Sequence, residues 1–150
     1  MFCPSKFKVV KGVGKSPYPL VAFDRALQNA GIGDYNLVKV SSILPANCKF
    51  TENIDMPKGS ILYAAYATTT ISVGETSSVG VAVAKATSSE DNGVIFEHSS
   101  LDNPSETLKR MCISAMENRE RIIESINVCA QTIYGEKNLY VSAIAAVVMW

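Results

Sequence analysis

The chain has 150 residues, 47% hydrophobic and 19% charged, which suits one domain with a real core and excludes a disordered tail. Fourteen Lys and Arg balance fourteen Asp and Glu, and no basic run breaks the balance, so there is no electrostatic case for nucleic acid or an anionic membrane as partner. Four scattered cysteines (Cys3, Cys48, Cys112, Cys129) and one histidine (His98) offer neither zinc-ligand spacing nor a disulfide framework, so we expect no metal, reduced thiols and a cytoplasmic setting.

In chain order, MFCPSKFKVVKG lacks the apolar segment and cleavage signal of a secretory leader, and its KFKVVKGV portion reads as a first strand. SPYPLVAFDRALQNAG predicts a helix. Ser16 or Tyr18 precedes a proline, Leu20, Phe23, Leu27 and Ala30 form an apolar stripe, and Gly31 ends it. NLVKVS alternates into a strand, and a polar stretch with Pro45 and Pro57 follows. SILYAAYATT, SVGVAVAKA and GVIFEHS are three more strands, the last two separated by the polar loop TSSEDNG. A second helix is capped by Asn103, with Pro104 at its first position and Glu106 where a capping box places an acid. Its apolar positions are Leu108, Met111, Cys112, Ala115 and Met116. The remainder, through LYVSAIAAVVMW, reads as a closing hairpin; that last run falls short of the ~20 residues a membrane span needs. The order β-α-β-β-β-β-α-β-β predicts an α+β layered sandwich.

Several motifs have plain explanations. GVGKS lacks the earlier glycine of a phosphate loop, since Val9 stands there; its glycines are expected to tighten a strand-to-helix turn. Glu97 and His98 are neighbours on a strand, so their side chains leave opposite faces and do not form a pair. Cys48 has no partner base and is expected to be a buried structural thiol. Asp24 falls about 80° from the centre of its helix's apolar stripe, at the edge of the buried face. It is either a solvated carboxylate on the rim or an acid aimed into a pocket for a cationic ligand.

The strand Asn36–Ser41 stops at two adjacent serines, Ser41 and Ser42. A Ser-Ser pair is ordinarily a turn or a cap. It also permits one specific reaction. The Ser42 hydroxyl can attack the Ser41 carbonyl, converting the peptide to an ester. β-Elimination then leaves dehydroalanine at residue 42, and the derived imine hydrolyses to a pyruvoyl group. Residue 42 must carry a β-leaving group for this route, and a strained backbone at the strand end would favour the attack.

The string GVGKS…LVAFDRALQNAGIGDYNLVKVSSILPANCK, with SSVGVAVAK…GVIFEHS and the C-terminal AIAAVV, closely resembles the pyruvoyl-dependent arginine decarboxylase family. The resemblance covers nearly the whole chain and is most specific in YNLVKVSSILP. It implies a four-layer α/β/β/α sandwich of two β-α-β-β units. It implies self-cleavage between Ser41 and Ser42 into residues 1–41 (β chain) and 42–150 (α chain), with the covalent pyruvoyl derived from Ser42. The implied reaction converts L-arginine to agmatine and CO2 through a Schiff base to that group. The resemblance further implies Glu97 as proton donor, Asn36 as a group near the reactive centre, Asp24 as the acid holding the guanidinium, and a homotrimer with active sites between subunits.

Glu97 would need a raised pKa, from burial near Val94 and Phe96, to hold a proton near neutral pH. Asn36 shares a strand face with Ser42, but a straight strand separates the two by ~20 Å, so contact across a subunit boundary is the easier arrangement. Two alternatives stay open from the sequence: a pyruvoyl-dependent histidine decarboxylase, and a non-catalytic, uncut oligomeric module.

Overall fold

A computed structural model describes residues 2–150 of the chain. The elements are β1 (Lys6–Ser16), α1 (Pro19–Asn29), β2 (Asn36–Lys39), β3 (Ile43–Leu44), β4 (Lys49–Phe50), β5 (Ile61–Ile71), β6 (Thr76–Ala86), β7 (Gly93–Ser100), α2 (Ser105–Asn118), β8 (Ile123–Tyr134) and β9 (Tyr140–Met149). They form two sheets and two helices, the α+β class expected. One sheet has the order β2-β5-β9-β1-β4 and the other β3-β7-β6-β8. Pairs β1–β4 and β2–β5 are parallel and the rest antiparallel. The two-residue strands β3 and β4 lie in the stretch the sequence left as polar loop.

Three apolar clusters hold the elements together. The first joins side chains of both sheets, among them Ala65, Val81, Ile95, Val141, Val147 and Met149. The second packs Ala26, Ala30 and Ile32 against Leu62, Ile144 and Val148 of the five-stranded sheet. The third packs Leu108, Cys112 and Met116 of α2 against Ala82, Ala84 and Val94 of the four-stranded sheet. Strand β9 contributes to two of these: Val141, Ala143, Ala145 and Val147 to the first, Ile144, Ala146 and Val148 to the second. Burial on both faces explains its unbroken apolar run.

The same burial corrects the expected closing hairpin. Strand β9 sits between β1 and β5 in the centre of one sheet, while β8 pairs with β6 at the edge of the other. A strand apolar on both faces is best covered at a sheet centre. The half-polar β8 suits an edge, so the two part company after Tyr134.

The glycines of GVGKS also differ from expectation. Gly12 and Gly14 lie inside β1, not in a turn. A Cβ on Gly12 would sit 2.1 Å from the Ala26 carbonyl oxygen, and one on Gly14 2.2 Å from that of Ala22. The glycines therefore let α1 lie directly on the strand. The helix face that meets them is Ala22, Ala26 and Ala30, all buried, whereas Leu20 is 82% exposed. Ala22 and Ala26 make the closest contact with the glycines, Phe23, Leu27 and Ala30 of the expected stripe pack beside them, and Leu20 alone falls outside. Gly31, at φ +79°, ends the helix as expected. At α2 the Asn103 side chain accepts from the Ser105 amide at 3.0 Å, so the helix starts at Ser105, one residue later than the sequence suggested.

Candidate active site

The Ser41–Ser42 peptide bond lies where the chain crosses from one sheet to the other. On its near side the Val40 amide donates to the Ala64 carbonyl of β5 at 3.0 Å. On its far side the Ser42 carbonyl accepts from the Ile95 amide of β7 at 2.8 Å, and Ile43 and Leu44 continue the pairing opposite Val94 and Gly93. The scissile candidate is thus bracketed by ties to two different sheets. Ser41 is exposed and Ser42 half-buried. The expected backbone strain takes no left-handed form here: among the described residues, the non-glycine positions with positive φ are Asn47, Glu120 and Asn138.

Glu97 belongs to the same neighbourhood. It stands two residues beyond Ile95 on β7, about 7 Å along the strand. Alternation puts it on the Ile95 side, which faces the inter-sheet core; Val94 and Phe96 face α2 instead. Its side chain is 28% exposed, and burial pushes its carboxyl above the ordinary value, opposed by the Lys39 ammonium. The direction matches what a proton donor needs, though Val94 and Phe96 are on the other face from it. Lys39, the last residue of β2, holds its Nζ 4.0 Å from Glu97 Oε1 and 4.7 Å from the centre of the Tyr66 ring. Lys39 and Tyr66 escaped the sequence reading. The one available signal was the place of Lys39 two residues before the serines.

The other two candidates lie elsewhere in this copy. Asn36 starts β2, at the opposite end from the serines, and its side-chain amide donates to the Gly59 carbonyl at 2.9 Å. Asp24 is exposed on α1 and accepts from the Gln28 side chain at 2.6 Å. It stands on the solvent side of a helix whose opposite face, Ala22 and Ala26, covers β1, rather than at the edge of the buried face. The structure brings Ser41, Ser42 and Glu97 together and leaves Asn36 and Asp24 apart from them.

The remaining groups separate cleanly. His98 is exposed and leaves the face opposite Glu97. Cys48 is fully buried, and burial pushes its thiol up to about 11, which removes it as a nucleophile. An open groove of about 590 Å³ runs along α2, lined by Phe96, Arg110, Met111 and Arg119 among others. Its lining carries no acid. Among the described residues no helix is long and apolar enough to cross a membrane.

Comparison with known proteins bears on this arrangement. The family described as pyruvoyl-dependent arginine decarboxylase matches residues 6–150. A pyruvoyl-dependent arginine decarboxylase of Methanococcus aeolicus is 35% identical over 98% of this chain and 90% of its own length. Its counterpart from Methanopyrus kandleri is 36% identical over 100% and 99%. That of Methanothermobacter thermautotrophicus is 37% identical over 81% and 85%. The match spans the sheet crossing, both helices and the last strand, and the chain belongs to the pyruvoyl-dependent arginine decarboxylase family.

Proposed function

We propose that this chain cuts itself between Ser41 and Ser42 and, with the pyruvoyl group so formed, decarboxylates L-arginine to agmatine and CO2. The observation that carries the reading is the position of that bond. It bridges two sheets, each of which independently holds one side, with a half-buried acid beside it. Residues 1–41 and 42–150 would therefore stay in place after the cut.

The cut balances as follows. The Ser42 Oγ–H attacks the Ser41 carbonyl carbon; the C–N bond breaks as the C–O bond forms, and the proton passes to the freed amine. The Cα proton of residue 42 then leaves and the ester O–Cβ bond breaks, releasing Ser41 as a carboxylate. The enamine left at residue 42 tautomerises to an imine. Water adds and ammonia departs, so one water is consumed for each ammonia released. Ser42 fits this role because it carries the leaving group, and the bond from Ile95 to its carbonyl fixes where the new group stands.

The pyruvoyl group supplies an electron sink for the electrons left when CO2 departs. The chain's own residues do the rest. Glu97, half-buried with a raised pKa, holds the proton delivered to the substrate's α-carbon. Asp24 faces the guanidinium, where a planar two-point pair suits arginine better than lysine. Gln28 steadies the Asp24 carboxylate by its hydrogen bond.

Asp24 and Asn36 reach the reaction only if neighbouring copies bring them there, so we place them across subunit boundaries of a homotrimer of cut chains in the cytoplasm. The three apolar clusters support a four-layer α/β/β/α order built from two β-α-β-β units. The test is intact mass joined to product analysis. Two fragments are expected, the larger lighter by one ammonia than plain hydrolysis would give, and agmatine should accumulate from arginine but no histamine from histidine. A single uncut species, or an unmodified serine at residue 42, defeats the reading.

A further inference from the structure

Cutting a peptide bond by this route creates a charge, because Ser41 ends as a carboxylate. A C-terminal carboxylate ionises with a pKa of ~3.5 and is negative at neutral pH. The nearest cation along the chain is Lys39. Residues two apart in an extended chain lie on one side, about 7 Å between their Cα atoms, within reach of a lysine side chain. In the uncut chain that ammonium is 4.0 Å from Glu97 Oε1, at the outer limit of an ion pair, with the Tyr66 ring beside it. It is 56% exposed and committed to neither neighbour. Ser41 is exposed, so a carboxylate formed there has room to meet it.

We propose that Lys39 is a positioning residue: its ammonium partners Glu97 in the uncut chain and passes to the new Ser41 carboxylate once the chain is cut, leaving Glu97 to keep the proton it delivers. The inference rests on the self-cleavage proposed above. It gives the family reaction a switch that acts only after processing. Before the cut, Lys39 favours the ionised form of Glu97. After it, the cation is drawn off and a second negative charge stands nearby, and both changes favour the protonated acid.

The other groups around Glu97 do not supply this control. From β6 it meets Val81, its paired residue, which does not titrate. From β5, Ala65 and Ala67 face the inter-sheet core with the partly buried Tyr63, and beyond Val81 stands Cys129 of β8; Tyr66 lies on the other face of its sheet, beside Lys39. On its own strand His98 leaves the opposite face, and Ser41 and Ser42 carry no charge until the bond breaks. Lys39 is the charge that acts on Glu97, and it opposes the effect of burial.

The test titrates Glu97 directly, by carbon NMR of labelled glutamate carboxyls, with Glu97→Gln to assign the signal. Four full-length proteins are compared: the processed chain, the uncut Ser42→Ala chain, and each with Lys39→Met. Glu97 should titrate about half a pH unit lower in Ser42→Ala than in the processed protein. Adding Lys39→Met to Ser42→Ala should raise the midpoint by at least half of that difference, and Lys39→Arg should restore the lowering. In the processed protein, Lys39→Met should change the midpoint by less than half as much. An unmoved midpoint on adding Lys39→Met to the uncut chain overturns the proposal, as does coincidence of the uncut and processed midpoints with Lys39 in place. A parent of one intact mass overturns the cleavage reading and the switch with it. The Ser42→Ala pair, which needs no cut, still decides whether Lys39 acts on Glu97, so the two failures are told apart.

Discussion

The chain passes between its two sheets four times, and two of these crossings, at Val40–Ile43 and at Ile71–Thr76, are built on different principles. The second is a turn built mainly from its own residues. The Ser72 amide and hydroxyl both donate to Glu75 Oε1, at 3.0 and 2.6 Å. Gly74 takes φ +81°, and the Gly135 amide closes on the Glu75 carbonyl at 2.8 Å. The first crossing has neither a glycine nor a turn of its own; its ends are held by Ala64 in one sheet and Ile95 in the other. A cut within that turn would break the bonds that form it. A cut at Ser41–Ser42 leaves both flanking ties, to Ala64 and Ile95, in place. The glutamates follow the same division. Glu75, fixed by the Ser72 hydroxyl, is held below the ordinary carboxylate range, while burial lifts Glu97 above it.

The widest gap between the crossings is chemical, and Ser42→Ala should erase it. With no β-leaving group at residue 42, the chain should remain one species by intact mass and agmatine formation should be abolished. Its fold should be unchanged by circular dichroism, since both ties to the crossing are backbone bonds. The matching change at the other crossing, Ser72→Ala, should leave processing complete. An active, uncut Ser42→Ala protein would separate the crossing from the chemistry altogether.

Glu97→Gln comes next. The amide keeps the shape and removes the proton donor, so kcat should fall by about 10²–10⁴-fold, the usual weight of general acid catalysis. The serines should still be cut, and arginine binding measured by calorimetry should persist. Turnover equal to the parent's would mean another acid donates. Asp24→Asn should be milder and of another kind, a KM about tenfold higher with kcat little changed, as expected for one charge-assisted contact. An unchanged KM would return Asp24 to the role of a solvated helix carboxylate, which is how one copy alone displays it.

These expectations differ in how far the sequence could support them. Period-two alternation was enough to send Glu97 and His98 to opposite faces, because that rule is local to one strand. The two-faced burial of β9 was legible as an unbroken apolar run. Which strand lies beside it was not, since nothing local to Gln131–Val141 records the choice of sheet. Asp24 was misplaced for a similar reason. The stripe through Leu20 looked like the buried face until Gly12 and Gly14, on another element, turned out to receive Ala22 and Ala26. The serine pair was legible as chemistry but not as a crossing, because β3 is two residues long and Pro45 beside it reads as loop. Lys39 meets Glu97 and Tyr66 only through the folded sheets, and no spacing in the chain could pair them.

The smallest expected effect is also the sharpest contrast between the crossings. Glu75 and Glu97 both start from an ordinary value of 4.5 and are shifted in opposite directions. A depressed acid means that the unfolded chain binds the proton more readily, so Glu75 supports the fold above 4.5 and loses that contribution as pH falls through its lower native value. A raised acid means the reverse. Glu97 costs the fold nothing at acid pH, and stability declines as pH rises from 4.5 through its higher native value. Melting temperatures across pH should display both signs. Glu75→Gln should melt slightly below the parent at neutral pH and converge with it in acid. Glu97→Gln should melt slightly above the parent at neutral pH and also converge in acid, because a protonated glutamate and a glutamine are nearly the same group. If both variants moved in the same direction at neutral pH, the two glutamates would share one environment, and the distinction between a self-satisfied turn and a span held open for chemistry would fail at its electrostatic root.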